Sequence, residues 1–161
     1  MSDSIIGTPA YYQFRHDDFL TRNPSKTAPE YYLNYGLKYA QKFQRETSKR
    51  VSTQGQKWIN EVMKNLQMLM ETRLSQPDGV EFEQNAQALK NFAFASHVEA
   101  YWNEKGETPL YVLPISDLFR ILFTPDFSDL ITAKSISQIE MIMRKLGRYR
   151  MTQFGNRIKS S

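Results

Sequence analysis

Residues 53–74 read TQGQKWINEVMKNLQMLMETRL, and this stretch decides the fold. Its apolar residues recur about every 3.6 positions, which is the period of an α-helix with one buried face. Thr53 and Gln56 form a capping-box pattern at its start, and the turn formers QPDG at 76–79 predict its end. We therefore expect a long amphipathic helix whose buried stripe consists of Trp58, Ile59, Val62, Met63, Leu66, Leu69, Met70 and Leu74.

A second long helix is predicted immediately before it. Thr27 and Glu30 fit a capping box, and Pro29 is tolerated in a first helical turn. The connection to the next helix is short, so we expect the two to pack antiparallel. The predicted helix ends near Ser48, and its aromatic core face consists of Tyr32, Tyr35 (or Gly36), Tyr39 and Phe43.

Residues 1–27 lack helical periodicity but are rich in aromatic side chains, with Pro9 and Pro24 as breakers. They predict an irregular arm packed along the domain. A third helix is expected from about Glu81. Residues 96–99, SHVE, then predict a short separate helix, the alternative being one bent helix.

The segment 108–114 contains two prolines, which favour an extended connector over a sheet strand. Residues 116–123 are apolar nearly all round and predict a buried central helix. The last helix should begin at Ser135 and can continue past Gly147. Together these patterns predict an all-α single globular domain of five to six helices at 28–146, preceded by the arm at 1–27 and followed by a basic extension at 147–161.

Composition excludes several classes of protein. Hydrophobic residues make up 40% and aromatic residues 13% of the chain, which is too rich for a disordered protein. The absence of cysteine excludes a disulfide scaffold and a thiol nucleophile. No signal peptide and no apolar run of ~20 residues is present. We expect a cytoplasmic protein, with export by a dedicated secretion machine as the alternative.

Positive charge is concentrated at two places. The last 21 residues hold six cations and no acid, whereas residues 1–140 hold 15 basic and 17 acidic residues. A second group recurs at helical spacing along the predicted helix at 28–48. Such cations either bind an acidic protein, nucleic acid or anionic membrane, or form a solvated surface. The predicted interaction residues are Arg144, Lys145, Arg148, Arg150, Arg157, Lys159, Lys38, Lys42, Arg45 and Lys49.

Candidates for catalysis are few, because His16 and His97 are the only histidines. His97 and Glu99 could supply an imidazole and a carboxylate, yet positions two apart on a helix point about 200° apart. The residues His16, Asp17 and Asp18 could hold a divalent cation in a loop, although solvated loop charges are the commoner explanation. We therefore predict no catalytic residue, metal site or cofactor, and keep His97 and Glu99 as weak catalytic candidates.

A glycosidase needs only two carboxylates, about 5 to 10 Å apart, so scarcity of histidine does not exclude one. The sequence offers several carboxylates without a spacing that selects a pair. These are Glu46, Glu61, Glu71, Glu81, Glu83 and Asp117.

Several short motifs between residues 30 and 131 resemble those of a known group of proteins. They include Asn34-Tyr35-Gly36 with Lys38-Tyr39, Gly55-Gln56-Lys57-Trp58, Phe92-Ala93-Phe94 with His97, and Leu113 to Leu118 before Thr124-Pro125-Asp126. In these motifs the chain resembles small helical accessory proteins encoded beside bacterial contractile injection or type VI secretion genes. The resemblance implies a bacterial setting and supplies no catalytic residues.

The leading functional hypothesis is a non-enzymatic protein–protein interaction module, an accessory, adaptor or effector-related protein of such a system. One alternative is a small hydrolytic toxin that cleaves glycan or cell wall with paired carboxylates. Another is a binder of nucleic acid or anionic lipid through its cations. A protein partner predicts an exposed apolar surface, and an enzyme predicts a cleft with converging acid–base groups.

Overall fold

The computed structural model describes residues 3–124, 140–149 and 151–152. Within these residues the chain forms one compact domain of seven helices and no strand, so the predicted all-α class is confirmed. The helices are α1 (Ala10–Arg22), α2 (31–47), α3 (Thr53–Leu74), α4 (Gly79–Gln84), α5 (Ala86–Trp102), α6 (Ile115–Leu122) and α7 (140–149 and 151–152). Short 3-10 turns at Asp3–Ile5 and Leu110–Val112 complete the described elements.

Helix α1 corrects the expectation of an irregular arm at 1–27. Its residues Tyr11, Tyr12 and Phe19 are buried in the core. Pro9 precedes the first helical residue and Pro24 follows the last, so both prolines bound the helix without interrupting it. The segment before α1 packs on the domain, as predicted, because the buried amide of Gln67 accepts the Gly7 N–H at 2.6 Å and donates to the Thr8 carbonyl at 2.8 Å.

Helix α2 occupies the predicted position but is not uniformly α-helical. Two π-helical segments, Tyr31–Leu37 and Phe43–Thr47, flank a short α-helical segment, Lys38–Lys42. On the buried face lies Gly36, where a Cβ atom would lie only 2.3 Å from the ring of Tyr12. Only glycine therefore allows the close packing of α1 against the first part of α2.

Helix α3 follows the prediction closely, and five of its eight predicted stripe residues are buried. Its cap is Ser52 in place of the predicted Thr53, since the Ser52 hydroxyl accepts the Gly55 N–H at 3.2 Å. The buried face packs mainly against α5. At its centre Trp58 donates its indole N–H to the Tyr101 carbonyl at 3.0 Å.

The predicted third helix is divided at Asn85, whose side chain accepts the Ala88 N–H at 3.0 Å and so caps α5. The short separate helix predicted from Ser96 is wrong, and the single-helix alternative is correct. Ser96 lies inside α5, where its hydroxyl donates to the Phe92 carbonyl at 2.8 Å and caps nothing.

Helix α6 corrects the expectation of a buried central element. Leu118 and Ile121 are buried, but Ile115, Phe119 and Phe123 are respectively 58%, 54% and 64% exposed. The inward face also carries two polar residues that find partners there, as described below. The buried face therefore combines Leu118 and Ile121 with polar residues, while three large apolar side chains face outward.

Helix α7 is described from residue 140 onward, and its predicted start at Ser135 lies outside the described residues. It continues past Gly147, as the sequence predicted. Ile142 and Leu146 are buried, and Tyr149 stacks on Tyr111 with ring centroids 4.0 Å apart. Among the helices that the structure describes, none has the length and apolar composition needed to cross a bilayer.

Candidate functional site

The largest group of interacting charges, here called the charged cluster, joins α1 and α2 to α3 and α4. On one side, the Glu71 carboxylate accepts the Nε–H of Arg15 at 2.6 Å and a second hydrogen bond from the same guanidinium. The hydroxyl of Tyr11 also donates to Glu71, at 2.6 Å. The complete cluster consists of Tyr11, Arg15, Asp18, Arg22, Tyr32, Glu71 and Glu83.

The other side of the charged cluster is centred on Glu83, which is only 3% exposed. Its carboxylate accepts hydrogen bonds from Arg22 and from the Tyr32 hydroxyl, each at 2.7 Å. Burial raises the pKa of Tyr32 and the neighbouring Glu83 carboxylate raises it further, so this hydroxyl stays protonated and donates. Asp18 completes the cluster by accepting the Nε–H of Arg22 at 2.9 Å.

A pocket of about 180 Å³ opens beside the charged cluster. It brings together Glu71 and Glu83, two of the carboxylates that the sequence offered to a glycosidase. Each of them already binds an arginine and a tyrosine, so neither presents a free carboxylate to a substrate. The cluster is therefore best explained as a network that holds the helices together.

Two of the remaining carboxylates are bonded within the fold and two are exposed. Glu61 accepts hydrogen bonds from Asn103 and Thr108, at the turn where Asn103 takes a left-handed conformation with φ of 50°. Asp117 is buried and bonded to Ser52, whereas Glu46 and Glu81 are exposed on α2 and α4 respectively. None of these four lines the pocket beside the charged cluster.

The weak catalytic candidates on α5 are separated from one another. The Nδ1 atom of His97 lies 2.6 Å from the Ala93 carbonyl, and its ring packs between Phe94 and Tyr101. Burial lowers the pKa of His97, against an opposing effect of the Ala93 carbonyl. Glu99 is exposed and belongs to a different face of the helix, so no imidazole–carboxylate pair forms.

His16, Asp17 and Asp18 lie on α1 and not in a loop. His16 contacts Asp17 at 2.9 Å, while Asp18 pairs with Arg22. The hydrogen bond from His16 lowers the pKa of Asp17, with a further contribution from Gln13. Across the described part of the chain, no three potential ligand side chains are grouped as a metal ion would require.

Of the predicted interaction residues in this part of the chain, Lys38, Lys42 and Arg45 lie on α2, and Lys49 lies in the turn that follows it. Lys38, Arg45 and Lys49 are exposed and Lys42 is half-buried. The ammonium group of Lys38 lies 5.0 Å from the ring centroid of Tyr39.

The cations of α7 are engaged to different degrees. Arg144 pairs with Glu140 at 2.6 Å, and Lys145 lies 4.1 Å from the ring centroid of Trp102. Arg148 is exposed. Arg150, Arg157 and Lys159 lie outside the described residues.

An apolar ridge on α6 is the feature that sequence reasoning missed. It consists of Ile115, Phe119 and Phe123, which lie one turn apart and are all more than half exposed. The rings of Phe119 and Phe123 are nearly parallel, at 4°, with centroids 6.2 Å apart. Val112, 45% exposed, precedes the ridge in the chain.

Comparisons of the chain with protein-family models, with curated proteins and with solved structures gave no match. The function must therefore be inferred from the residues and their geometry.

Proposed function

We propose that this domain is a non-enzymatic protein–protein interaction module whose binding surface includes the apolar ridge. The proposal rests on one observation, the exposure of Ile115, Phe119 and Phe123 along a single face of α6. Removing exposed Phe or Ile side chains from water stabilises a complex by about 1.5–3 kcal/mol for each side chain that is fully buried. A contiguous exposed apolar surface is typical of a docking site in a folded domain.

The state of the titratable groups favours binding over catalysis. Acid–base catalysis requires a group within reach of a substrate in a cleft. Glu71 and Glu83 are held by arginine and tyrosine, and His97 is packed between aromatic rings. The sequence resemblance suggests that the partner is a secreted effector, or a component of a contractile injection or type VI secretion machine.

Affinity purification of the full chain from the organism that encodes it tests the proposal. The wild-type protein should retain a stoichiometric protein partner. A double variant, Phe119→Ser with Phe123→Ser, should lose it because the ridge no longer offers apolar surface. Val80→Ser is the matched control, since Val80 is 55% exposed on α4, away from α6, and its change should leave the partner bound.

The cations of α7 need a separate variant. Deleting the C-terminal segment from residue 144 would remove the buried Leu146 and disturb the core. Arg144→Gln with Arg148→Gln removes two charges while keeping the helix, and so tests whether α7 contributes. Failure to recover any partner, or its equal retention by the ridge variant, would contradict the proposed role of the ridge.

A further inference from the structure

We infer that the apolar ridge binds a second copy of this chain, so that two domains pair through their α6 helices. The inference rests on the proposed function and deepens it by naming the occupant of the ridge. A different protein that docks on the ridge then competes with this pairing. The pairing is supported by the order of the ridge side chains, the charge balance of α6 and the area of the exposed apolar surface.

The ridge is complementary to itself. Ile115 and Phe123 lie four residues before and after Phe119, and all three are more than half exposed. If two α6 helices pair antiparallel about a two-fold axis at Phe119, each Ile115 faces the other copy's Phe123. If they pair parallel, each residue faces its own counterpart. Apolar side chains therefore meet in either two-fold arrangement, and contacts of this isologous kind form the commonest protein oligomers.

The charges of α6 are balanced within the helix. Asp117 and Arg120 are its only charged residues, and a guanidinium nitrogen of Arg120 lies 3.7 Å from an Asp117 carboxylate oxygen. The outward positions 115, 116, 119 and 123 are uncharged. A second copy therefore meets no unpaired like charge from α6, and an anionic surface finds no surplus of cations on this helix.

The segment 47–52 carries two exposed cations, but it lies on another side of α6. The hydroxyls of Thr47 and Thr124 are 2.7 Å apart, and the Asp117 carboxylate accepts a backbone N–H of the segment at 3.0 Å. At about 100° per residue, Asp117 and Thr124 lie about 140–160° around the helix from Phe119. The segment is thus held opposite the ridge and does not cover it.

The exposed apolar area matches that of a small dimer interface. Ile115, Phe119 and Phe123 are 58%, 54% and 64% exposed. Since a phenylalanine side chain removes about 150–250 Å² from water when it is buried, the ridge offers about 300 Å² of apolar surface in each copy. A specific interface of about 1,000 Å² takes about 500 Å² from each copy, and about 65% of a homodimer interface is apolar. The ridge supplies nearly this amount, whereas a bilayer favours a broader apolar surface than a single row of three side chains.

Sedimentation velocity of the full-length protein between about 5 µM and about 500 µM tests the inference. An interface at the low end of the size range predicts a dissociation constant of about 10–100 µM, so the average mass should rise with concentration toward that of a dimer. The contact is apolar and the charge on α6 is paired. The dissociation constant should therefore change less than about threefold between about 50 mM and about 500 mM salt.

Two variants with the same kind of substitution locate the contact. Phe119→Ser with Phe123→Ser should weaken self-association about tenfold or more, because it removes most of the apolar surface of the ridge. Val80→Ser on α4 should leave the dissociation constant unchanged. Circular dichroism spectra that match the wild type show that each variant is folded.

Disulfide cross-linking provides a second measurement, because the chain contains no cysteine of its own. Phe119 faces its counterpart in either two-fold arrangement, so Phe119→Cys places two thiols together in the paired form. Under mild oxidation this variant should form a linked dimer about tenfold faster than Val80→Cys. The two positions are matched for access to solvent, since Phe119 and Val80 are 54% and 55% exposed. Equal rates would overturn the pairing through the ridge.

The outcomes distinguish this inference from the proposed function. A protein that is monomeric at about 500 µM overturns the pairing, and so does self-association that the ridge variant keeps. If such a monomer retains a different protein through Phe119, the proposed function stands without the pairing. If the ridge pairs two copies and no other protein is recovered from the organism, the pairing stands without the docking of other proteins. Phe119-dependent binding to vesicles of anionic phospholipid, without self-association, overturns the pairing in favour of a membrane surface.

Discussion

The charged cluster and the apolar ridge show opposite relations between residue type and role. The cluster contains the arginines, tyrosines and carboxylates from which active sites are commonly built, yet its side chains bind one another. The ridge consists of residues typical of a core, yet each is more than half exposed. The contrast lies in exposure, and residue type alone does not reveal which side chains are exposed.

Helix geometry explains the difference. In the charged cluster, side chains from separate helices meet, so each charge finds a counter-charge or a hydrogen-bond donor. On α6, the polar Asp117 and Thr124 turn inward to meet Ser52 and Thr47. The apolar residues on the opposite side of the short helix consequently face outward.

The largest effect is expected from Glu83→Ala in the charged cluster. The substitution leaves the buried Tyr32 hydroxyl without its hydrogen-bond acceptor. It also removes the more deeply buried of the two carboxylates that pair with Arg22. We expect a loss of about 3 kcal/mol in the free energy of unfolding, the low end for a broken buried pair, because Arg22 is partly exposed. Urea denaturation monitored by circular dichroism measures it.

Asp18→Ala is the control within the same cluster, because this carboxylate lies nearer the surface. It should cost no more than about 1 kcal/mol, as surface ion pairs do. If Glu83→Ala cost no more than Asp18→Ala, the cluster would not be structural and its pocket would again be a candidate for chemistry.

The next largest expected difference in stability is between two substitutions on α6, two residues apart. Ile121 is fully buried, and Ile121→Ala should lower the free energy of unfolding by about 2–3 kcal/mol, the low end for such truncations because the short, half-exposed α6 can relax into the cavity. Phe119→Ala should cost about 1 kcal/mol or less, because the ring already contacts water. Equal losses in urea denaturation would indicate that α6 is buried on both faces, and would remove the apolar ridge as a surface.

The sequence predicted the extent and buried face of a helix correctly where its apolar periodicity agrees with the packing found in the structure. Helix α3 combines a regular stripe around Trp58 with a turn at 76–79, so its extent and buried face were predicted correctly. Helix α1 was missed because the polar Arg15 lies on the same face as Tyr11, Tyr12 and Phe19 and hides their helical spacing, and because the flanking prolines resemble breakers. Its burial depends on contacts with α2 that are distant in sequence.

The candidate site was less predictable for a physical reason. The buried face of α6 depends on hydrogen bonds between its polar residues and Thr47 and Ser52. These partners are 77 and 65 positions away in the chain, so the sequence of α6 alone does not reveal them. The charged cluster likewise depends on pairs such as Arg15 with Glu71, 56 positions apart. Periodicity reports on one helix at a time, whereas both sites arise between helices.

The smallest effect is the part of the alkaline loss of stability that Tyr32 contributes, since burial also raises the pKa of Tyr12, Tyr31 and Tyr101 outside the charged cluster. Burial and the Glu83 carboxylate raise the pKa of Tyr32 above its ordinary value of 10.0, so the folded protein keeps this proton where the unfolded chain loses it. The contribution of Tyr32 is complete below pH 10 and is lost as pH rises beyond it, by at most about 1.4 kcal/mol per pH unit. Urea midpoints between about pH 8 and about pH 11 measure this slope.

Tyr32→Phe should lower stability at neutral pH through its lost hydrogen bond but make the alkaline slope shallower. Phe119→Ala removes no titratable group and should keep the wild-type slope, so an unchanged slope in Tyr32→Phe would contradict this account of the cluster.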